Sequence, residues 1–392
     1  MRFPTGADLA FLIQQRPAPR DTDEPDVTRL PRFVCRPVLP QSPCYLTSSV
    51  WERYGGTVRN SQWQHYLPEV YLKGFATESG TVWRYDRTNT VLKLLPPRVI
   101  GAERDLYSIV DGEELSQEIE TQWFNRLDGC FGPILRKMQD RRELSSVEVR
   151  QLANFVAYLR VRTPASIRGT ELSFRQFDAQ LGTDRETIKY HSEPLDHGSD
   201  TYTMASEQSD HVLTCRGDAA ARNEVLRMLV NSGKHLASAL LDLNWTVLIA
   251  SRGRSFVVGD DPFVIVPPKS HRTDLEGVGP LTPGAAVFVP LSKALCLRVT
   301  NTGCSARHRQ VDGPAVRAIN TCQTLNSEHY LFGASDALLN SLTQGLVRNP
   351  GLNLAEAILR QAVSSSDPES SLIQTFTKSK IPPGWADRVP LD

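Results

Sequence analysis

Five short β-rich segments follow one another closely in the second half of the sequence, and they constrain the fold more than any other feature. Gly, Pro and charged residues separate them, and no helical pattern lies between them. Strands that succeed one another in this way usually pair antiparallel. We therefore predict an antiparallel sheet over about residues 245–300, built from Trp245–Ala250, Ser255–Val258, Phe263–Val266, Ala286–Val289 and Leu295–Val299.

Helical periodicity characterises the residues before this sheet. Ser145 and Glu148 have the spacing of a capping box, and apolar residues continue from Leu152 at helical intervals until Thr163-Pro164, where proline disfavours a helix. A second helical pattern covers Asn223 to Leu243, despite Gly233. Together they predict a helical part over about residues 114–244.

A hairpin is predicted near the start of the compact region. Gly80–Asp86 alternates polar and apolar side chains, turn-forming residues follow, and Thr90–Leu95 resumes the extended pattern. Later in the sequence, Pro314–Phe332 has a helical pattern and Leu354–Val363 a short amphipathic one. The predicted class is α+β, with an N-terminal β-hairpin, a central helical bundle and a C-terminal antiparallel sheet with a covering helix.

Composition divides the chain into three regions. Seven prolines between residues 16 and 59 interrupt any regular pattern, so residues 1–60 are predicted to be a loosely ordered arm. Residues 61–340 are predicted to form a single α+β domain, and residues 341–392 a C-terminal helix and tail. A chain of 392 residues with 40% hydrophobic content can bury a sizeable core.

Charge and cysteine usage limit the partners and the compartment. Lys and Arg together number 44, as do Asp and Glu, so net charge gives no support for nucleic-acid binding. No apolar run approaches about 18 residues, so no membrane association is expected. Seven cysteines without a Cys-x-x-Cys pair are typical of reduced thiols, which indicates the cytoplasm. Oligomeric state is left open.

His65 opens the densest motif, which runs to Phe75 and combines aromatic, proline and charged residues. Imidazole titrates near neutral pH and also binds metals, so His65 is a candidate acid, base or metal ligand. If residues 115–131 are helical, Glu120 shares an apolar face with Trp123, Phe124, Leu127 and Phe131. A carboxylate in that position acts as a general acid or base, binds a metal, or forms a structural ion pair; a helix that starts later would leave it exposed.

Further polar residues accompany the predicted elements. Arg160 and Arg162 flank the apolar face of the capped helix, where each can bind a carboxylate or phosphate or cover the helix edge. Asp260 lies between two strands and is either a ligand or an ordinary turn residue. Asn320, Gln323 and Asn326 recur every three residues, where they orient a substrate or face water.

Familiar catalytic signatures are missing from the sequence. It contains no His-Glu-x-x-His zinc motif, no phosphate-binding Gly-x-x-x-x-Gly-Lys-Ser/Thr loop, no Gly-x-Ser-x-Gly elbow and no Gly-x-Gly-x-x-Gly fingerprint. The reaction therefore cannot be assigned from a motif.

The order of the polar residues and short motifs resembles the family of domain of unknown function 4238 over about residues 63–333. The matching features are His65-Tyr66-x-Pro68 with Tyr71-Leu72 and Phe75, Trp83-Arg84-Tyr85-Asp86, Glu120, Arg162-Thr163-Pro164, Asp260, Pro290-Leu291 and Asn320. The resemblance implies a shared architecture and one pocket containing His65, Glu120, Arg162, Asp260 and Asn320, but no reaction. Glu69 departs from the pattern, since glutamine is usual there.

Two hypotheses follow from these residues. In the first, the protein is a hydrolase acting on a small anionic or phosphate-containing substrate. His65, Glu120 and Asp260 are then catalytic, with a divalent metal as a possible cofactor, and Arg162, Asn320 and Tyr66 bind the substrate. In the second, the same residues form a structural polar network within a non-enzymatic binding or interaction module.

Overall fold

The computed structural model describes residues 63–111, 114–170, 195–197, 200–202, 218–269, 278–302, 306–348, 381 and 385–388. The predicted N-terminal arm and the predicted helix Leu354–Val363 lie outside these residues. The described part is an α+β fold in which helices and several sheets share a core, as the sequence predicts.

The first half of the chain carries short strands and two long helices. Its strands are β1 (Trp63–His65), β2 (Val82–Asp86), β3 (Val91–Leu95), β4 (Ala102–Arg104), β5 (Ile109–Asp111) and β6 (Glu114–Ser116). Its helices are α1 (Glu69–Leu72), α2 (Asn125–Gln139) and α3 (Ser146–Val161), with a π-helical turn over Ile119–Phe124 leading directly into α2.

The second half alternates strands with three helices. The strands are β7 (Leu195–His197), β8 (Asp200–Tyr202), β9 (Asn244–Ala250), β10 (Val258–Gly259), β11 (Val264–Val266), β12 (Ala286–Pro290), β13 (Leu295–Thr300), β14 (Ala306–Val311) and β15 (Tyr330–Gly333). The helices are α4 (Asp218–Leu241), α5 (Gly313–Asn326) and α6 (Asp336–Arg348), and a 3-10 turn covers Trp385–Arg388.

The larger sheet has five strands in the order β11-β12-β13-β9-β14. Its first four strands pair antiparallel, which confirms the antiparallel sheet predicted from this region. The fifth strand, β14, pairs parallel to β9 and was not predicted. Polar residues dominate its sequence, Ala-Arg-His-Arg-Gln-Val, so it lacks the apolar character that identified the others.

The smaller sheet combines distant parts of the chain in the order β10-β15-β2-β3. Its β2–β3 pair is the predicted hairpin. β10, expected in the larger sheet, pairs with β15 instead. The helix predicted over 314–332 ends at Asn326, and residues 330–333 form β15. That prediction was too long because Tyr330, Leu331 and Phe332 extend the apolar pattern although they belong to a strand.

The helical part is held together by α3, which packs on α2 and α4. Its N-terminus has the predicted capping box, with the Ser145 side chain accepting from the Glu148 N–H and the Glu148 carboxylate accepting from the Ser145 N–H. Gly233 of α4 lies against the Tyr158 ring, since an added Cβ would lie 2.6 Å from the ring Cζ. The two helices can therefore approach closely at this point. Among the described residues, no helix has the length and apolar character needed to cross a bilayer.

Candidate functional site

Arg162 lies immediately after α3, and its side chain is only 1% exposed. The guanidinium carbon lies 5.3 Å from the ring centre of Phe124 and 5.8 Å from that of Phe155. The Tyr107 hydroxyl donates to the Arg162 carbonyl at 2.5 Å, which fixes the backbone. A permanent positive charge is therefore held between aromatic rings inside the core.

The hydrogen bonds of this guanidinium are unevenly distributed. Arg162 Nη1 donates to Asp128 Oδ1 at 3.0 Å, whereas Nε and Nη2 are buried and make no hydrogen bond to any described residue. Nε and Nη2 form one edge of the planar fork, the edge that binds carboxylate or phosphate in bidentate fashion. Burial raises the pKa of Asp128, although the charge and hydrogen bond of Arg162 act in the opposite direction.

Glu120 is carried by the π-helical turn that precedes α2. Its Oε2 atom is buried, and no group in the described part of the chain forms a hydrogen bond with it. Burial raises the pKa of Glu120 from its ordinary value of 4.5 to about 7, while the positive charge of Arg162 and the backbone N–H of His65 lower it and the Asp128 charge raises it. A carboxyl group with this pKa exchanges its proton near neutral pH, as general acids and bases do.

His65 ends strand β1 and is half-buried. Its Nε2 atom lies 3.2 Å from the carbonyl oxygen of Arg98. Because a carbonyl only accepts hydrogen bonds, Nε2 carries the hydrogen, and Nδ1 of the neutral ring is an acceptor. Burial lowers the pKa of His65 and the Arg162 charge lowers it further, while the hydrogen bond to the Arg98 carbonyl and the charges of Glu69 and Asp128 act in the opposite direction.

These four residues, His65, Glu120, Asp128 and Arg162, form what we call the Arg162 cluster. Each of the three titratable groups is influenced by the charge of Arg162. The environment lowers the pKa of His65 and raises the pKa of Glu120. There is therefore a pH range in which the imidazole is neutral while the carboxyl group still holds its proton. A neutral base beside a protonated acid is an arrangement suited to proton transfer.

Asp260 is also predicted to be catalytic, but both of its carboxylate oxygens accept hydrogen bonds from backbone N–H groups. Its Oδ1 accepts from the Glu328 N–H at 2.8 Å, and its Oδ2 accepts from the N–H groups of His329 and Tyr330 at 2.6 and 2.9 Å. Burial and the Glu328 carboxylate raise the pKa of Asp260. Through these bonds Asp260 holds the chain where α5 gives way to β15.

Asn320 is buried and bonds to the strand backbone in the same manner. Its Nδ2 donates to the Ser255 carbonyl at 2.9 Å, and its Oδ1 accepts from the Val257 N–H at 3.0 Å. Gln323, one turn later, accepts from the Gly259 N–H and donates to the Pro262 carbonyl. The amides on α5 therefore attach the helix to the segment around β10.

Tyr66 and Arg160 belong to the surroundings of Asp260 and Asp261. Burial raises the pKa of Tyr66, and the nearby Asp260 carboxylate adds to that effect. Arg160 donates to Asp261 Oδ2 at 2.7 Å. The structure thus brings His65, Glu120 and Arg162 into one cluster, and it places Tyr66, Asp260 and Asn320 in polar contacts centred on the segment 255–262.

Asp128 is the member of the cluster that the sequence interpretation missed. It lies four residues after Phe124 and three before Phe131, so it shares the apolar face that identified Glu120. The same criterion applied to the rest of that face would have found it.

Among the described residues, no three His, Cys, Asp or Glu side chains are close enough to hold a metal ion. The divalent metal that the sequence left open as a cofactor therefore has no set of three such ligands in the described part of the chain.

Comparison with known proteins identifies a family for this chain. No curated protein and no solved structure matches the chain significantly. A family model described as protein of unknown function DUF4238 matches residues 63–337, which include every member of the Arg162 cluster and both main sheets. The match confirms the resemblance seen in the sequence, and the chain belongs to the DUF4238 family.

Proposed function

We propose that the protein is a hydrolase for a small anionic substrate and that the Arg162 cluster is its active site. One observation carries the proposal: among the described residues, a guanidinium buried in the core keeps the nitrogens Nε and Nη2 unpaired, in the same cluster as the half-buried Glu120, whose buried Oε2 is also unpaired. Unpaired buried polar groups cost free energy, and they are concentrated where a protein binds or transforms a ligand.

Acid and base roles follow from the two shifted groups. His65 Nδ1, unprotonated in the neutral ring, acts as the general base toward water. Glu120, half protonated near pH 7, acts as the general acid toward the leaving group. The pKa directions support this assignment, since burial favours the neutral form of both side chains.

His65 Nδ1 takes a proton from water as the water oxygen bonds to the electrophilic phosphorus or carbon. The bond from that atom to the leaving group breaks, the electron pair stays with the leaving group, and Glu120 donates a proton to it. His65 then returns its proton through solvent to Glu120. Water has been added across the bond and both groups have been restored.

Arg162 binds the anionic group of the substrate in this proposal, and Asp128 is a positioning residue. The Nη1–Asp128 bond holds the guanidinium plane, which leaves the Nε and Nη2 edge for the substrate oxygens. Asp260 and Asn320 instead hold neighbouring segments through hydrogen bonds to the backbone, and Tyr66 is buried near Asp260. The buried free thiols Cys296 and Cys322 support placing this activity in the cytoplasm.

A non-enzymatic binding module is the second candidate, and the contacts of Asp260 and Asn320 favour it. Both side chains form hydrogen bonds with backbone groups. Such bonds are typical of polar residues that stabilise a fold. Under this alternative, the Arg162 cluster binds an anion without turnover, and replacing His65 changes stability alone.

The experiment is an ester-hydrolysis assay with the purified chain. Bis-(4-nitrophenyl) phosphate and 4-nitrophenyl phosphate serve as probes, and released 4-nitrophenolate is measured from pH 5 to 9. We expect kcat/KM to fall as pH rises through about 7, where Glu120 of the ligand-free protein loses its proton. Glu120→Gln and His65→Ala should each lower kcat by about 100-fold or more.

Matched controls separate catalysis from folding. His329, an exposed histidine, and Glu78, an exposed carboxylate, are replaced in the same way, and circular dichroism checks that all variants remain folded. Hydrolysis by folded Glu120→Gln and His65→Ala at the wild-type rate would overturn the proposal, as would the lack of any hydrolysis by folded wild-type protein.

A further inference from the structure

We propose that the Nε and Nη2 edge of Arg162 binds one singly charged oxoanion, a carboxylate or a phosphodiester, and that Glu120 takes up a proton when it binds. This inference deepens the proposed function and rests on it only for the location of the site. It specifies the charge of the ligand and a proton movement that is independent of turnover.

Geometry provides the first argument. Arg162 is held on one side by Asp128, at 3.0 Å, and by the faces of Phe124 and Phe155. The other two guanidinium nitrogens, Nε and Nη2, are adjacent on one edge and have no hydrogen-bond partner among the residues that the structure describes. Two parallel N–H groups match the two oxygens of a carboxylate or a phosphodiester.

Charge provides the second argument. Within the Arg162 cluster, Arg162 is positive, Asp128 is its negative partner, and His65 is neutral near pH 7 because burial lowers its pKa. Tyr107, which bonds to the Arg162 carbonyl, is uncharged, since burial raises its pKa. A single negative charge on the ligand therefore already makes the buried site negative overall. A dianion doubles the excess negative charge of the site. Because uncompensated buried charge costs much free energy, the site favours a monoanion.

Glu120 supplies the response to that excess charge. Its unpaired Oε2 lies in the same cluster, and its ionisation is already opposed by burial and by the charge of Asp128. A ligand anion on Arg162 adds a second negative neighbour and removes much of the attraction that the guanidinium offers to Glu120. The carboxyl group therefore protonates as the ligand binds, and its new O–H can donate to a ligand oxygen.

Isothermal titration calorimetry tests this inference with simple probes. Acetate and dimethyl phosphate carry one negative charge, whereas methyl phosphate is largely a dianion at pH 8. Titrations of the full chain at pH 7.5 in Tris and in MOPS, which differ in ionisation enthalpy, give the number of protons taken up. We expect uptake of up to one proton with acetate or dimethyl phosphate. At pH 8, methyl phosphate should bind at least about 10-fold more weakly than the better monoanion, a difference of about 1.4 kcal/mol.

Two variants isolate the two residues. Glu120→Gln should still bind the monoanion but without proton uptake. Arg162→Met combined with Asp128→Asn removes the cation without leaving a buried carboxylate unpaired, and it should abolish binding while the protein remains folded. The acetate and dimethyl phosphate arms distinguish a carboxylate site from a phosphodiester site.

Several outcomes would overturn the inference. These are tighter binding of methyl phosphate than of either monoanion, unchanged proton uptake in Glu120→Gln, full binding in the double variant, or no binding of either monoanion by wild-type protein at millimolar concentration. Monoanion binding with proton uptake but no ester hydrolysis would refute the hydrolase alone, and hydrolysis without proton uptake would refute this inference alone.

Discussion

Replacing Glu120 by glutamine should remove a specific pH dependence from the stability of the protein. Burial raises the pKa of Glu120 from 4.5 to about 7 in the folded chain, whereas the unfolded chain exposes the group. A raised folded-state pKa means that the associated stability is fully present below about pH 4.5 and is lost as pH rises through about 7. Each pKa unit corresponds to about 1.4 kcal/mol, so the loss between these limits is roughly 3 kcal/mol.

Urea unfolding followed by circular dichroism measures this effect. The free energy of unfolding of wild type minus that of Glu120→Gln is determined between pH 5 and pH 8.5, so that contributions from the other titrating groups cancel. We expect wild type to lose about 2–3 kcal/mol relative to the variant across this range. Glu78→Gln, at an exposed position, should show a difference that is constant with pH.

A flat difference between wild type and Glu120→Gln would refute this reasoning, because it would mean that the carboxyl group titrates identically in the folded and unfolded chains. A difference of opposite slope would mean that Arg162 dominates over burial. In either case Glu120 would be ionised throughout the neutral range, and its assignment as a general acid would fail with it.

Two further predictions concern packing and charge in the same region. Asp128→Asn leaves the buried Arg162 without its counter-charge and should lower the free energy of unfolding by about 3 kcal/mol. The double variant Asp128→Asn with Arg162→Met should recover most of this loss. Equal losses in the two proteins would contradict this account. Gly233→Ala should destabilise the protein by about 1–3 kcal/mol, because the added methyl group meets the Tyr158 ring. Gly129→Ala, whose Cβ meets no atom within 4 Å, should instead stabilise α2 by up to about 1 kcal/mol. Urea unfolding measures both, and equal effects at the two glycines would exclude the proposed clash.

Local patterns were sufficient for the elements whose determinants are local. The α3 capping box lies within four residues, and the β2–β3 hairpin needs only alternation and a turn. β10 could not be assigned in this way, because its partner in the sheet is β15, more than 70 residues later. The end of α5 was likewise hidden, since Asp260 determines it by accepting the N–H groups of residues 328–330.

The candidate site shows the same division. Glu120 was identifiable because a carboxylate on an apolar helical face has few explanations, and Arg162 because it follows a well-defined apolar helix. The hydrogen-bond partners of these residues could not be predicted, because they depend on contacts between distant segments of the chain. Asp128 and Arg162 are 34 residues apart, and Asn320 and Val257 are 63 apart.

The distribution of hydrogen bonds distinguishes polar residues that stabilise the fold from polar residues that remain available to a ligand. Asp260 and Arg162 are both buried and charged, and the family pattern includes both. Asp260 makes three hydrogen bonds to the backbone, so its interactions are complete in the fold itself. Arg162 makes one bond through Nη1 and leaves Nε and Nη2 unpaired. Since the desolvation of those donors is compensated only when an acceptor reaches them, Arg162 is the residue where anion binding would stabilise the protein, and ligand-dependent stability should depend on Arg162 and not on Asp260.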